Sequence, residues 1–272
     1  MPIDHELVST FLDDVESNLL PSIHAGSAKL HSCQKLVDSF GKQCAAWRCG
    51  AVNHIRDITS FVNEMVFAKL ILDGSEVSEA YYESELDGTD KTIDFLVTLV
   101  GSEARIYCDL KTIQPTINDD WGKYEKFKNE SWLTPGTELT MDKDLLGGEI
   151  AHGFFSARQK FLDYTLELET KIRALPKQNQ NYFRLVFCGD GIQWRCDDLE
   201  DFTDFYFPGQ HRPDDQLGLM QNYYMTKKGI KFDRSIHGFC YFERKIRRLQ
   251  PSSFRCDVHG PAFPWNNPQK KN

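Results

Sequence analysis

TIDFLVTLVGSEARIYCDLKTIQ, residues Thr92–Gln114, is the stretch whose reading decides the fold. β-Branched and aromatic residues fill both flanks of Gly101-Ser102-Glu103-Ala104, so the pattern predicts two strands, Ile93–Val100 and Arg105–Ile113, joined as a hairpin. Side chains alternate along a strand, which puts Asp109 and Lys111 on one face. With Val100 paired to Arg105, Leu96 lies opposite Asp109 and Asp94 opposite Lys111, and opposed residues share a face. Two carboxylates and an ammonium then converge among apolar neighbours, where an acid must be paired, protonated or bound to a cation. Hard oxygen ligands suit Mg²⁺, with Mn²⁺ as the substitute, and leave coordination sites for water and a phosphate-bearing substrate.

Upstream, the apolar spacing predicts a helix over Asn53–Leu72 that carries Glu64 between Phe61, Ala68 and Ile71. An ionised acid there needs a partner, either Arg56 or a metal shared with Asp94 and Asp109. AYYESEL, Ala80–Leu86, reads as a strand leading through Asp87-Gly88-Thr89-Asp90 into the hairpin, with Glu83 and Glu85 on one face, either flanking the metal or, as is usual for acids on an edge strand, solvated. Two earlier helices are expected, residues 4–20 capped by Asp4 and ended by Pro21, and Ser27–Phe40 stopped by Gly41. Residues 1–52 are therefore expected to form a helical extension packed on a core of residues 53–260, with 261–272 as a flexible tail.

Downstream of Gln114, residues 116–146 show no sustained period. They interleave Trp121, Lys123, Tyr124, Lys126, Phe127, Lys128 and Trp132, a pattern that grips a nucleic-acid strand by charge and stacking or pins a loop with aromatic plugs. Gly147–Leu175 has the apolar spacing of a long helix; Asn181–Cys188 and Ile236–Lys245 read as strands. Helix, three strands, helix, strand is an α/β pattern, a mixed β-sheet flanked by helices.

At Ile93-Asp94 and Asp109-Leu110-Lys111 the chain resembles the PD-(D/E)XK, or restriction-endonuclease-like, nuclease superfamily. In that superfamily an Asp begins one strand, a (D/E)xK follows on the next, and a preceding helix often adds a Glu, here Glu64. Ile93 stands where the name-giving Pro would be. The resemblance spans residues 55–190 and implies an αβββαβ core with Asp94, Asp109, Lys111 and Glu64 as catalytic residues. It implies that Asp94, Asp109, Glu64 and the Leu110 carbonyl hold Mg²⁺ (or Mn²⁺), and that the long second helix meets the substrate, with His152, Arg158 and Gln159 as candidates. Gln159 and Tyr164 stand one residue too far apart for the QxxxY motif of the recombination branch. The expected activity is metal-dependent cleavage of nucleic acid, DNA before RNA, with Lys123, Lys126, Arg158 and Gln159 as substrate contacts and a homodimer allowed. The alternative is a module that keeps the fold without turnover and binds or regulates a partner.

Two other [DE]xK tripeptides occur. In Glu169-Thr170-Lys171 a helix turns residues two apart by about 200°, so they cannot share a site. In Glu243-Arg244-Lys245 no acid-bearing strand makes a close hairpin, and its arginines suggest a solvated or phosphate-facing surface.

Composition sets the outer bounds. A chain of 272 residues with 40% hydrophobic and 26% charged residues reads as globular, and no run of about 18 apolar residues suggests a membrane span. The acidic start MPIDHELVSTFLDDVE lacks the pattern of a signal peptide, so a cytoplasmic protein is expected. The net charge of −8 argues against a whole-surface nucleic-acid binder, but residues 222–272 carry 11 Lys/Arg against 3 Asp/Glu. Eight cysteines without CxxC pairs are expected to be reduced and mostly buried, and Cys44, Cys49 and His54 lack the fourth ligand of a zinc site.

Overall fold

The computed structural model describes residues 5–50, 55–86, 89–113, 163–175, 180–189, 203, 206–207, 231–244, 249–251 and 253–258. Within them the chain forms α1 (His5–Asp14), a π-helical turn (Val15–Leu19), α2 (Leu20–Ala25), β1 (Leu30–His31), α3 (Cys33–Arg48) and α4 (Ile55–Asp73). The strands β2 (Val77–Glu85), β3 (Thr92–Leu99) and β4 (Arg105–Thr112) follow. Then come a helix α5 over residues 163–173 and the strands β5 (Asn181–Gly189), β6 (Gly238–Glu243) and β7 (Ser253–Val258).

All seven strands join one mixed sheet in sequential order. β2, β3 and β4 run as an antiparallel meander, β4, β5 and β6 are parallel, and β7 returns antiparallel. A parallel step between β4 and β5 requires a crossover, and α5 lies on it. This is an α/β architecture with helices on both faces of the sheet.

Two apolar layers follow from the alternation. One joins α1–α4 to Ala80, Phe95, Val97, Ile106, Cys108 and Val186; the other joins Leu168 of α5 to Leu96, Tyr107, Leu185, Phe187 and Tyr241. The strands thus present apolar residues on both sides, which is why β5 and β6 read as nearly unbroken apolar runs. Five of the cysteines, Cys33, Cys44, Cys108, Cys188 and Cys240, are buried free thiols. Burial pushes the Cys44 thiol up to about 12, so it packs as a small apolar side chain.

Several boundaries differ from expectation for local reasons. Pro21 does not end the first helix; it sits in the first turn of α2, where its missing N–H costs nothing, and the π turn Val15–Leu19 carries the chain into it. Gly41 does not stop the second helix either. It lies inside α3, which begins at Cys33 and runs to Arg48, with nothing within 4 Å of where its Cβ would be. Residues Leu30–His31 form the short strand β1 on β2 instead of helix. The N-terminal segment is therefore part of the sheet and of one core layer, not only a cover on it.

Candidate active site

The hairpin register differs from the expected one by two residues. Thr98, not Val100, faces Arg105, and Leu96 faces Tyr107. Val100 is drawn away because its N–H donates to the Glu76 carbonyl at 2.8 Å, and Gly101, at φ 70°, turns the chain with Ser102 bonded back to Leu99. A slip of one residue would have turned every side chain to the wrong face; a slip of two preserves the faces.

The β3–β4 ladder ends at Phe95–Cys108, and Asp94 lies just beyond. Its Oδ2 accepts a hydrogen bond from the Leu110 N–H at 2.6 Å, so a side chain replaces the missing strand partner. In a strand the N–H and C=O of one residue face the same neighbour, so the Leu110 carbonyl faces the same opening. On the other side of β3, Glu83 opposes Asp94 between the pairs Tyr82–Phe95 and Ser84–Ile93, with left-handed backbone at φ 48°. Side-chain alternation also breaks there: Ile93 and Leu96, three apart, belong to the same apolar layer. Positive φ in a non-glycine residue is uncommon, and here it marks the place where the sheet opens around a carboxylate.

Asp109 is 1% exposed. Its Oδ2 lies 3.2 Å from Lys111 Nζ and its Oδ1 lies 3.2 Å from Lys171 Nζ on α5. Only the Lys171 contact has hydrogen-bond geometry, so Oδ2 is a buried oxygen without a hydrogen bond. Glu167 Oε1 lies 3.3 Å from both ammoniums and closes the ring, and the Tyr164 ring centroid is 5.4 Å from Lys111 Nζ.

Glu64 accepts a hydrogen bond of 2.6 Å from Tyr82 Oη. Burial raises its carboxyl to about 7; the Tyr82 hydroxyl opposes the rise, and Glu83 and Asp109 add to it. Asp94 is raised well above the usual carboxylate range, first by burial and then by the charges of Asp109 and Glu64. Burial pulls the Lys111 ammonium down, but Asp109, Asp94 and Glu167 outweigh it and hold Lys111 cationic. Glu167, although partly buried, is held below its usual range by Lys111 and Lys171. These mutual fields place Glu64, Asp94, Asp109 and Lys111 in one electrostatic neighbourhood, with α4 supplying the first and the parted strands the rest.

Of the residues expected from sequence, Asp109 and Lys111 are in contact and Asp94 is bonded to the Leu110 N–H, while Glu64 on α4 is bonded to Tyr82 and feels the charges of Lys111 and Asp109. Lys123, Lys126, Arg158, Gln159 and His152 lie outside the described residues, as does His54. Glu83 and Glu85 are exposed. Sequence reasoning missed Lys171 and Glu167. Glu169 and Lys171 do diverge on the helix: Glu169 accepts a hydrogen bond from Tyr206 Oη at 2.5 Å, while Lys171 turns to Asp109. The i, i+4 spacing of Glu167 and Lys171 on the crossover helix was the available signal. The third tripeptide is corrected too: Arg244 is 3% exposed and donates to Asn63 Oδ1 at 2.7 Å, so it is a core residue and not a phosphate-facing one.

A divalent cation fits this donor set in two respects. Asp109 Oδ2, although 3.2 Å from Lys111 Nζ, is a buried oxygen without a hydrogen bond, and the charges of Asp109 and Glu64 both raise the Asp94 carboxyl. Among the described residues, no group of three His, Cys, Asp or Glu side chains is placed so as to hold a metal ion. No protein-family model, curated protein or solved structure matches this chain.

Proposed function

We propose that the protein is a metal-dependent nuclease of the PD-(D/E)XK type, hydrolysing phosphodiester bonds of nucleic acid, DNA before RNA. One observation carries the reading: Asp94 reaches across the opened β3–β4 ladder to the Leu110 N–H, beside Asp109 and Lys111. The element order α4, β2, β3, β4, α5, β5, with an antiparallel meander followed by a parallel strand, supports the restriction-endonuclease-like core expected from the resemblance.

Asp94, Asp109, Glu64 and the Leu110 carbonyl would hold Mg²⁺ or Mn²⁺, which supplies Lewis-acid polarisation and an acidified water at the phosphate. Lys111, cationic and 3.2 Å from Asp109, orients the nucleophilic water and faces the charge that develops on the phosphoryl oxygens. Asp94 fixes the Leu110 peptide, and so the direction of its carbonyl. Glu64, protonated up to about pH 7, takes part as a ligand in its ionised form.

The test is incubation with plasmid, single-stranded DNA, RNA and free nucleotides, each with Mg²⁺ and with Mn²⁺. Cleavage of a polynucleotide that EDTA abolishes is the expected result; intact substrates throughout would overturn the reading, and hydrolysis of nucleotides alone would move it to another metal hydrolase. A second reading, a module that binds or regulates without turnover, is favoured by the two ammoniums already paired with Asp109. Titration calorimetry with Mg²⁺ and Mn²⁺ separates the two, since that module needs no cation. We place the protein in the cytoplasm; no described helix is long and apolar enough to cross a membrane.

A further inference from the structure

Lys171 is unexplained by a site of two acids, one glutamate and one lysine. It comes from a different element, yet it matches Lys111 in distance, with 3.2 Å to Asp109 and 3.3 Å to Glu167. Its side chain is 19% exposed and forms part of the wall of an open groove of about 620 Å³, which runs between residues 90–92 and one face of α5. Lys91, Thr92 and Thr170 line the same groove, alongside Asp90, Asp163 and Glu167; the Thr170 hydroxyl donates to the Leu166 carbonyl at 2.8 Å.

The charges explain why Lys171 points inward. Glu64, Asp94, Asp109 and Glu167 are four carboxylates, against the two ammoniums of Lys111 and Lys171. With every acid ionised the cluster is two negative charges in excess, the amount one divalent cation neutralises. A cation on Asp109 would sit beside Lys171 Nζ, and like charges at such separation repel strongly in a partly dry site. The side chain is long and flexible, and among the described residues it already lines the groove.

Resting on the nuclease reading, we propose that Lys171 is a substrate-positioning residue that exchanges partners. Without metal it occupies the cation's place on Asp109; when a divalent ion binds, it turns into the groove and pairs with a backbone phosphate of the nucleic-acid strand. Metal and Lys171 compete for Asp109, while metal and strand cooperate through Lys171.

The competition gives the test opposite signs. Calorimetric titration of Mg²⁺ or Mn²⁺ into the substrate-free Lys171→Gln protein should show binding several-fold tighter than in the parent. Fluorescence anisotropy of a labelled single-stranded DNA in Ca²⁺ should show binding about five- to tenfold weaker, with the slope of log K against log salt smaller by about 0.7, one phosphate contact. Lys171→Arg should restore the DNA affinity, and Lys42→Gln, exposed on α3, should alter neither measurement. If Lys171 only braces Asp109, Lys171→Gln weakens metal and DNA together; that result, or no change in either, overturns the exchange while leaving the nuclease reading intact. A parent protein that binds metal and cuts DNA keeps the two questions separate; one that binds neither metal nor DNA overturns both.

Discussion

Glu64 is a carboxyl held at about 7, against an ordinary 4.5, chiefly because it is buried. The folded chain therefore binds more protons than the unfolded one between those values, and stability falls as pH rises through about 7. Glu64→Gln keeps an acceptor for the Tyr82 hydroxyl without the charge. It should raise Tm by a few degrees at pH 8 in the absence of metal and leave it unchanged at pH 4, while weakening cleavage. A thermal melt at both pH values checks this. Binding needs the ionised carboxyl, so Glu64 alone should make Mg²⁺ affinity fall by about tenfold per pH unit below 7, and Asp94, also raised, should steepen the fall. The neighbours of Glu64 divide by role. Asp109→Asn should remove metal binding in calorimetry along with cleavage. Lys111→Ala should retain the metal but lose on the order of 10²-fold or more in cleavage rate, as expected for a group that acts on developing charge. Metal-dependent cutting at the parent rate in either variant would remove these residues from the chemistry. The three hairpin residues were legible because charge on an apolar strand is conspicuous. Lys171 was not, because its local mark, Glu167 four residues before it, is equally common on solvated helix faces.

At the scale of elements, the site depends on how α4 is tied to the sheet. Asn63 donates to Thr112 Oγ1 of β4 at 2.9 Å and accepts from Arg244, just past β6, at 2.7 Å. Both Asn63 and Arg244 are almost fully buried, so this short network fixes the helix that carries Glu64 one residue further on. Asn63→Ala removes a charge-assisted hydrogen bond and should cost about 1.5–3 kcal/mol, read as a lower urea midpoint with an unchanged m value. Misplacing Glu64 should also weaken Mg²⁺ binding, which an unrelated destabilising change on α3 would not do. The strands β2 to β6 were recognisable from alternation and apolar runs, whereas β1 and β7 were not. β1 has two residues, too few for any period, and β7 has the mixed composition of an edge strand. Pro21 and Gly41 misled for one reason: each is a breaker by propensity, and burial of the flanking apolar stripe overrides propensity.

At the scale of the whole molecule, residues 5–48 contribute Phe11, Leu12, Val15, Leu36, Phe40 and Trp47 to the same apolar layer as Val62, Met65, Phe95 and Val97. β1 also pairs with β2. Deleting residues 1–52 would strip one face of α4 and the sheet of its cover, so the shortened chain should be insoluble or show no cooperative melt by circular dichroism. A truncated protein that melts cooperatively and keeps its activity would show residues 1–52 to be dispensable to the core. By itself the sequence determined the α/β class, the hairpin, and the acids and lysine it carries, because strand period and the cost of burying charge are local properties. Tertiary structure alone decided the two-residue register, the opening at Asp94, and the arrival of Lys171 and Glu167 from the crossover helix. Those depend on which backbone groups compete for Val100 and Leu110, and on how a distant helix packs, and neither is written in any short stretch of the chain.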